Sequence, residues 1–396
     1  MFKLRQLSLG AVAFALLLAG PALMTTGCGF FPPLSDCTDC TTAVSYMYVA
    51  NQESSGASIA GFALTTTTTA ATSTTAATST LGLATTPSSA YALSFIPSAM
   101  AITPTDTFLY VAGSTGGIYV YAVNSDRSIT LQSAISPVTA YPAVTAMQVD
   151  TTGNWLIAAN LSSTTTAATM AVYAINTSTG ALTAPSTLAL KYLGASQQLA
   201  ISANDANVAV TLGTGGIEAF TFNSATGVLA DLGNIPVATS GNQDLGVAFS
   251  PDSLYAFETE TVAATVRVFS VGTSGGLTDL KTPATTETGP SSVLVDSTGA
   301  YLYVTNKGAN ANSVSAFTLS SGALTEISGS PFATGTTPVS LAEDSQKLYI
   351  GVADQGGSPD LDIFTFAGTT AGALVAAGTA TTGTDPTSAS IVVATY

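Results

Sequence analysis

Tyr301-Leu-Tyr-Val-Thr-Asn306 is a six-residue run of aromatic, aliphatic and β-branched residues ending on a polar one. Such residues suit the packed, pleated surface of a strand. Six further versions stand along the chain: Tyr46-Met-Tyr-Val-Ala-Asn51, Phe108-Leu-Tyr-Val-Ala-Gly113, Trp155-Leu-Ile-Ala-Ala-Asn160, Asn207-Val-Ala-Val-Thr-Leu212, Leu254-Tyr-Ala-Phe-Glu-Thr259 and Lys347-Leu-Tyr-Ile-Gly-Val352. Each is followed by a second strand with a central aromatic, at Phe62, Tyr121, Tyr173, Phe220, Phe269, Phe317 and Phe364. Most of these lead into a glycine turn, as in Thr226-Gly-Val-Leu229 and Ser321-Gly-Ala-Leu324, where glycine supplies the positive φ of a tight hairpin. An apolar segment also precedes each copy after the first, for example Ser292-Val-Leu-Val-Asp-Ser-Thr-Gly299.

A repeat of about 48 residues that holds four short strands is the pattern of a propeller blade. One blade cannot bury both faces of its sheet, so seven must stack around an axis. The expected fold is therefore all-β, a seven-bladed β-propeller over residues 43–396. The chain enters on a second strand and ends with Pro386-Thr-Ser-Ala-Ser-Ile-Val-Val-Ala-Thr-Tyr396, which matches the first strands. The C-terminal strand should therefore complete the first blade and close the ring, removing exposed sheet edges. The aromatic series is expected to pack between blades. Residues 65–80, rich in Thr, Ser and Ala, are expected to form a flexible loop.

At Tyr303-Val-Thr-Asn306, Tyr48-Val-Ala-Asn51 and Tyr110-Val-Ala-Gly113 the repeat resembles the YVTN β-propellers and the lactonase-like, 6-phosphogluconolactonase-like propellers. The likeness covers residues 44–396. It implies a channel that, in enzymatic members, carries His, Arg and Glu groups acting on a lactone. This chain has no His. Arg127 falls in a turn after a third strand and Arg267 lies within one, so neither is placed at the mouth where ligands bind.

Only 8% of residues are charged, with 8 Lys and Arg against 23 Asp and Glu and a net charge of −15. A surface of this sign disfavours nucleic acid and anionic lipid headgroups, which are held through Lys and Arg. Residues 1–27 read as a secretory signal, with Lys3 and Arg5 before the apolar run 7–19. Thr25, Thr26 and Gly27 then precede Cys28, which resembles a bacterial lipoprotein processing site, so Cys28 is the expected acylated residue. Residues 28–42 would form a tether, in which Cys37 and Cys40 are free to form a local disulfide in an oxidising compartment. The expected location is the periplasm or cell surface, with the lipid anchor as the only membrane contact and the propeller as a monomer.

Loops joining second to third strands share one face with the loops joining successive blades. That face is the expected ligand-binding face, and it gathers Glu53, Gln198, Asp244 and Lys307. Glu258 and Glu260 are two apart on a strand, so they point to the same side. They are the candidate general acid and base, against the plainer reading of a solvated pair at a strand end. Asp354, Asp360 and Asp362, in a glycine-containing loop, offer hard oxygens to Ca²⁺, and no other cofactor is expected. There is no phosphate-binding glycine loop and no Gly-x-Ser-x-Gly, and a serine triad lacks its histidine base. Two functions follow. The first is a non-catalytic binding or scaffold module for an envelope protein or a small neutral ligand. The alternative is a lactone hydrolase acting on a sugar-derived substrate.

Overall fold

The computed structural model describes residues 40–52, 56–69, 78–138, 143–160, 168–191, 195–383 and 386–394. The signal, Cys28, Cys37 and Glu53 lie outside these residues. All regular structure among them is strand, arranged as seven antiparallel sheets. Blades two to seven each read inner, second, third and outer strand in chain order. Blade five, for example, runs Asp244–Phe249, Tyr255–Glu260, Thr265–Val271 and Leu277–Asp279. In blade one the closing strand Pro386–Ala394 pairs with Cys40–Asn51, with Val49 opposite Ile391 and Tyr48 opposite Val392. The C-terminus thus supplies the inner strand of the first blade, as the repeat phase requires.

Second strands are apolar on both sides because both faces are covered by neighbouring blades. Tyr303 and Val304, adjacent in Tyr301–Asn306, are both fully buried. The seven central aromatics from Phe62 to Phe364 are all buried as well. Outer strands alternate with solvent, as in Val228–Ile235.

Two local devices recur. In the turn between inner and second strands, a short polar side chain accepts the backbone N–H five residues on. Thr103 takes Phe108, Asp150 takes Trp155, Ser202 takes Asn207, Ser250 takes Tyr255, Asp296 takes Tyr301 and Asp344 takes Tyr349, at 2.6–3.1 Å. The ring that follows then lies on the third-to-outer turn of the next blade. Phe108 sits over Gly180, Trp155 over Gly227, Tyr255 over Gly322 and Tyr301 over Gly372. Where blade two has Arg127 in this turn, at φ 66°, its guanidinium covers the Tyr46 ring at 4.9 Å and pairs with Asp106 at 2.8 Å.

Three expectations are corrected. The second strands of blades five and seven are Tyr255–Glu260 and Tyr349–Asp354, one and two residues later than the motif copies drawn at Leu254 and Lys347. Tyr, not the preceding aliphatic residue, is the position that meets the next blade. Much of the Thr tract is strand: Ser58–Thr69 pairs with Thr78–Thr85, with Thr69 opposite Thr78. Thr is β-branched and supplies its own polar face, so composition alone misreads it as loop. The first strand also takes in residues 40–42, which were expected in the tether.

Candidate ligand channel

The inner strands surround a cavity of about 380 Å³, in the size range of small-molecule sites. Counted back from the polar turn residue, two positions of the inner strand contribute Ala101, Ala146, Gln148, Gln198, Ser292 and Ser340 to its wall. The position four before it is Ala99, Ala146, Gln198, Gly246, Ser292 and Ser340 in blades two to seven. The position two before it is Ala101, Gln148, Ala200, Ala248, Leu294 and Ala342. Small residues are required where inner strands converge, and the two glutamines are the large polar exceptions. No Asp, Glu, Lys or Arg lines the cavity among the described residues.

Gln198, predicted for the binding face, does line this cavity. Its Nε2 donates to Ser292 Oγ at 3.3 Å, reaching from blade four to blade six. Blade five between them presents Gly246, which has no side chain to obstruct the bridge. Gln148 is exposed in the cavity, and its Oε1 accepts the Ile201 N–H at 3.0 Å. Gln148, Ser292 and Ser340 were not singled out from the sequence. Aligning the inner strands on their turn residue would have isolated Gln148 as the one polar residue in its column.

The other predicted residues gather elsewhere. Glu258 and Glu260 are buried, not solvated, at the junction of blades four and five. They surround Arg267, whose Nη1 lies 3.5 Å from Glu258 Oε2 and 3.2 Å from the Pro236 carbonyl it donates to. Its Nη2 donates to Asp279 Oδ2 at 2.7 Å. Glu260 accepts from the Ala238 N–H and the Thr265 hydroxyl. Among the described residues, neither oxygen of Asp244 nor Oε1 of Glu258 accepts a hydrogen bond from an N–H or hydroxyl donor. The two carboxyls instead interact with one another. Burial, and the hydrogen bond to Asp244, push Glu258 well above the carboxylate range. Burial raises Asp244 as well. Both carboxyls are fully buried, so the pair does not stand at a surface open to substrate.

Asp354, Asp360 and Asp362 are likewise buried. Asp360 accepts from the Thr382 N–H at 3.0 Å, and Asp362 accepts from the Gly335 N–H at 2.7 Å. Burial and the neighbouring Asp362 carboxyl push Asp354 up to about 9. Among the described residues no three Asp, Glu, Cys or His side chains are grouped so that they could hold a metal ion, these aspartates included. Lys307 is half-buried, with no carboxylate at ion-pair distance among the described residues, and burial lowers its pKa.

Fold and channel together define a seven-bladed propeller whose central cavity, among the described residues, is lined by amide, hydroxyl and apolar groups. The family described as Lactonase, 7-bladed beta-propeller matches residues 41–192 and 198–391, and the chain belongs to it. The periplasmic gluconolactonase PpgL of Pseudomonas aeruginosa is similar in structure at 18% identity, with a TM-score of 0.69 over 89% of this chain and 99% of that one. A candidate 6-phosphogluconolactonase of Bacteroides uniformis is similar at 17% identity, with a TM-score of 0.68 over 88% and 99%. A Lactobacillus plantarum protein is similar at 19% identity, with a TM-score of 0.67 over 87% and 98%. These likenesses are of fold. No curated protein sequence matches.

Proposed function

We propose that the protein is a lactone hydrolase acting on an uncharged, sugar-derived lactone held in the central channel. Membership of the lactonase family, over nearly the whole propeller, carries this reading and favours it over a purely non-catalytic scaffold. The choice of a neutral substrate rests on the lining. A phosphate ester is normally met by Arg forks, Lys or helix N-termini. Here no cation lines the described cavity, and Arg127 and Arg267 are engaged by Asp106 and by Asp279. In the reaction, water adds to the lactone carbonyl carbon and the ring C–O bond breaks. The ring oxygen leaves as a hydroxyl, taking up the proton that water gives. Amide and hydroxyl donors aimed at the developing oxyanion supply the stabilisation.

The lining also favours a second reading, binding without turnover, because no carboxylate or other general base lines the cavity among the described residues. The two are separated by assaying hydrolysis of glucono-δ-lactone and of 6-phosphogluconolactone against their spontaneous rates, with calorimetric binding in parallel. Saturable hydrolysis of the neutral lactone alone is the expected result. Binding without turnover would establish the second reading, and neither binding nor turnover would overturn both.

Export and lipid anchoring at Cys28 belong to the same proposal and rest on the basic, apolar and small-residue order of residues 1–27. Intact mass of membrane-fraction protein should show acylated Cys28. An unmodified chain cleaved near Ala22 would refute it.

A further inference from the structure

We infer that Gln148 is the carbonyl-recognising donor of the channel, the residue whose Nε2 meets the exocyclic oxygen of the bound lactone. The inference rests on the lactone reading above and adds to it a named residue and a polarity.

The inner strand of a blade is paired on one side only, so its other edge leaves N–H and C=O groups facing the channel. In blade four the channel-edge N–H of Ile201 is satisfied by Gln148 from blade three, at 3.0 Å. A backbone N–H only donates, so the oxygen end of the Gln148 carboxamide must face it. The amide is planar, so the nitrogen end is turned away from Ile201. It has no hydrogen-bond partner among the described residues, and the side chain is exposed within the cavity. The result is a pair of N–H donors whose direction is set by a backbone contact, not by solvent. Pre-oriented donors are what a developing oxyanion requires, since no reorganisation is needed as charge appears.

The sequence context separates this residue from ordinary lining. At its position the other described blades have Ala101, Ala200, Ala248, Leu294 and Ala342, none of which can donate from a side chain. Gln198, the other glutamine of the channel, already spends an N–H on Ser292. Gln148 is the one whose donors are uncommitted.

The experiment compares Gln148→Glu and Gln148→Leu with the full-length wild type, using glucono-δ-lactone as probe at pH 7. Glutamate keeps an oxygen for the Ile201 N–H while replacing both donors by an acceptor, whereas leucine removes clamp and donors together. The expected result is a roughly hundredfold loss of kcat in both variants, with Gln148→Glu melting like the wild type. If the wild type binds without turnover, the expected result is a loss of affinity of tenfold or more in both. Full turnover or binding by Gln148→Glu, with impairment only in Gln148→Leu, would show that Gln148 merely clamps Ile201 and would overturn the inference while leaving the lactone reading intact. A wild type that neither binds nor hydrolyses the lactone would remove both.

Discussion

Gly227 lies directly beneath the Trp155 indole: a Cβ at this position would stand 2.3 Å from Cζ3 and 2.6 Å from Cε3. The glycine also holds φ at +70°. Backbone conformation and blade-to-blade contact therefore demand the same residue. Gly227→Ala should cost about 2–4 kcal/mol, since alanine must force the rings apart as well as adopt a strained φ. Gly276, with nothing within 4 Å, is the control, and Gly276→Ala should leave the denaturation midpoint nearly unchanged. Urea unfolding of the two variants checks this. Equal midpoints would show that the aromatic-on-glycine contact is not a source of stability.

Among the described residues, Arg267 is the only buried cation in the blade-five cluster, and it is 3% exposed. Arg267→Met should be among the most destabilising single changes in the protein, by about 3–5 kcal/mol, because it leaves buried carboxyls without a counter-charge. Lys281→Ala, which removes an exposed partner of Asp279, should change stability very little. A melting series of these variants is the measurement, and a near-native Arg267→Met would refute the assignment.

Asp354 sets a pH dependence with a definite sign. Its carboxyl is raised to about 9 in the fold, chiefly by burial and by Asp362. In the unfolded chain it titrates near 3.9. Between about pH 4 and 9 the folded state therefore holds a proton that the unfolded chain has released, and stability from this group falls as pH rises through that window. Asp279 acts in the opposite sense. Burial pushes it up, but hydrogen bonds from Lys281 and Arg267 bring it down to about 2. Its contribution is present above about pH 3.9 and fades as pH falls towards 2. Asp354→Asn, neutral at every pH, should raise the melting temperature at pH 8 and change it little at pH 4. A variant with the wild-type pH slope would exclude Asp354 as the cause.

Deleting residues 391–396 removes most of the pairing between the closing strand and Cys40–Asn51. The second strand of blade one would then expose an edge inside the ring, with unpaired backbone groups. The expected outcome is loss of cooperative unfolding or of soluble protein. Native-like melting of the truncated chain would mean that the ring closes without this strand.

Much of this architecture can be read in the chain because the repeat is written in local terms. The YVTN-like strands, the glycine turns at Gly227 and Gly322, and the terminal strand each follow from residue type and spacing. Gln198 stands in one of the inter-blade segments, which the repeat places beside the axis. Other positions misled for physical reasons. Glu258 and Glu260 look like solvated strand-end acids until Arg267 and the Pro236 carbonyl from the neighbouring blade are seen to enclose them. The Thr run around Thr69 has the composition of a loop and the backbone of a strand, because a hydroxyl on a β-branched side chain serves both.

The number of blades, the phase of closure and the acidic, histidine-free character that narrows the chemistry are all written in residue order and composition. Which polar residues meet is set by the packing of the blades. Gln148 touches Ile201 of the next blade, Gln198 reaches Ser292 across a blade that presents Gly246, and Asp354 is buried against Asp362. Each depends on how twisted sheets converge on one axis, where spacings of a few ångströms between blades determine whether a side chain is core, clamp or donor. Repeat periodicity specifies that the blades are adjacent, but not which atoms they bring into contact.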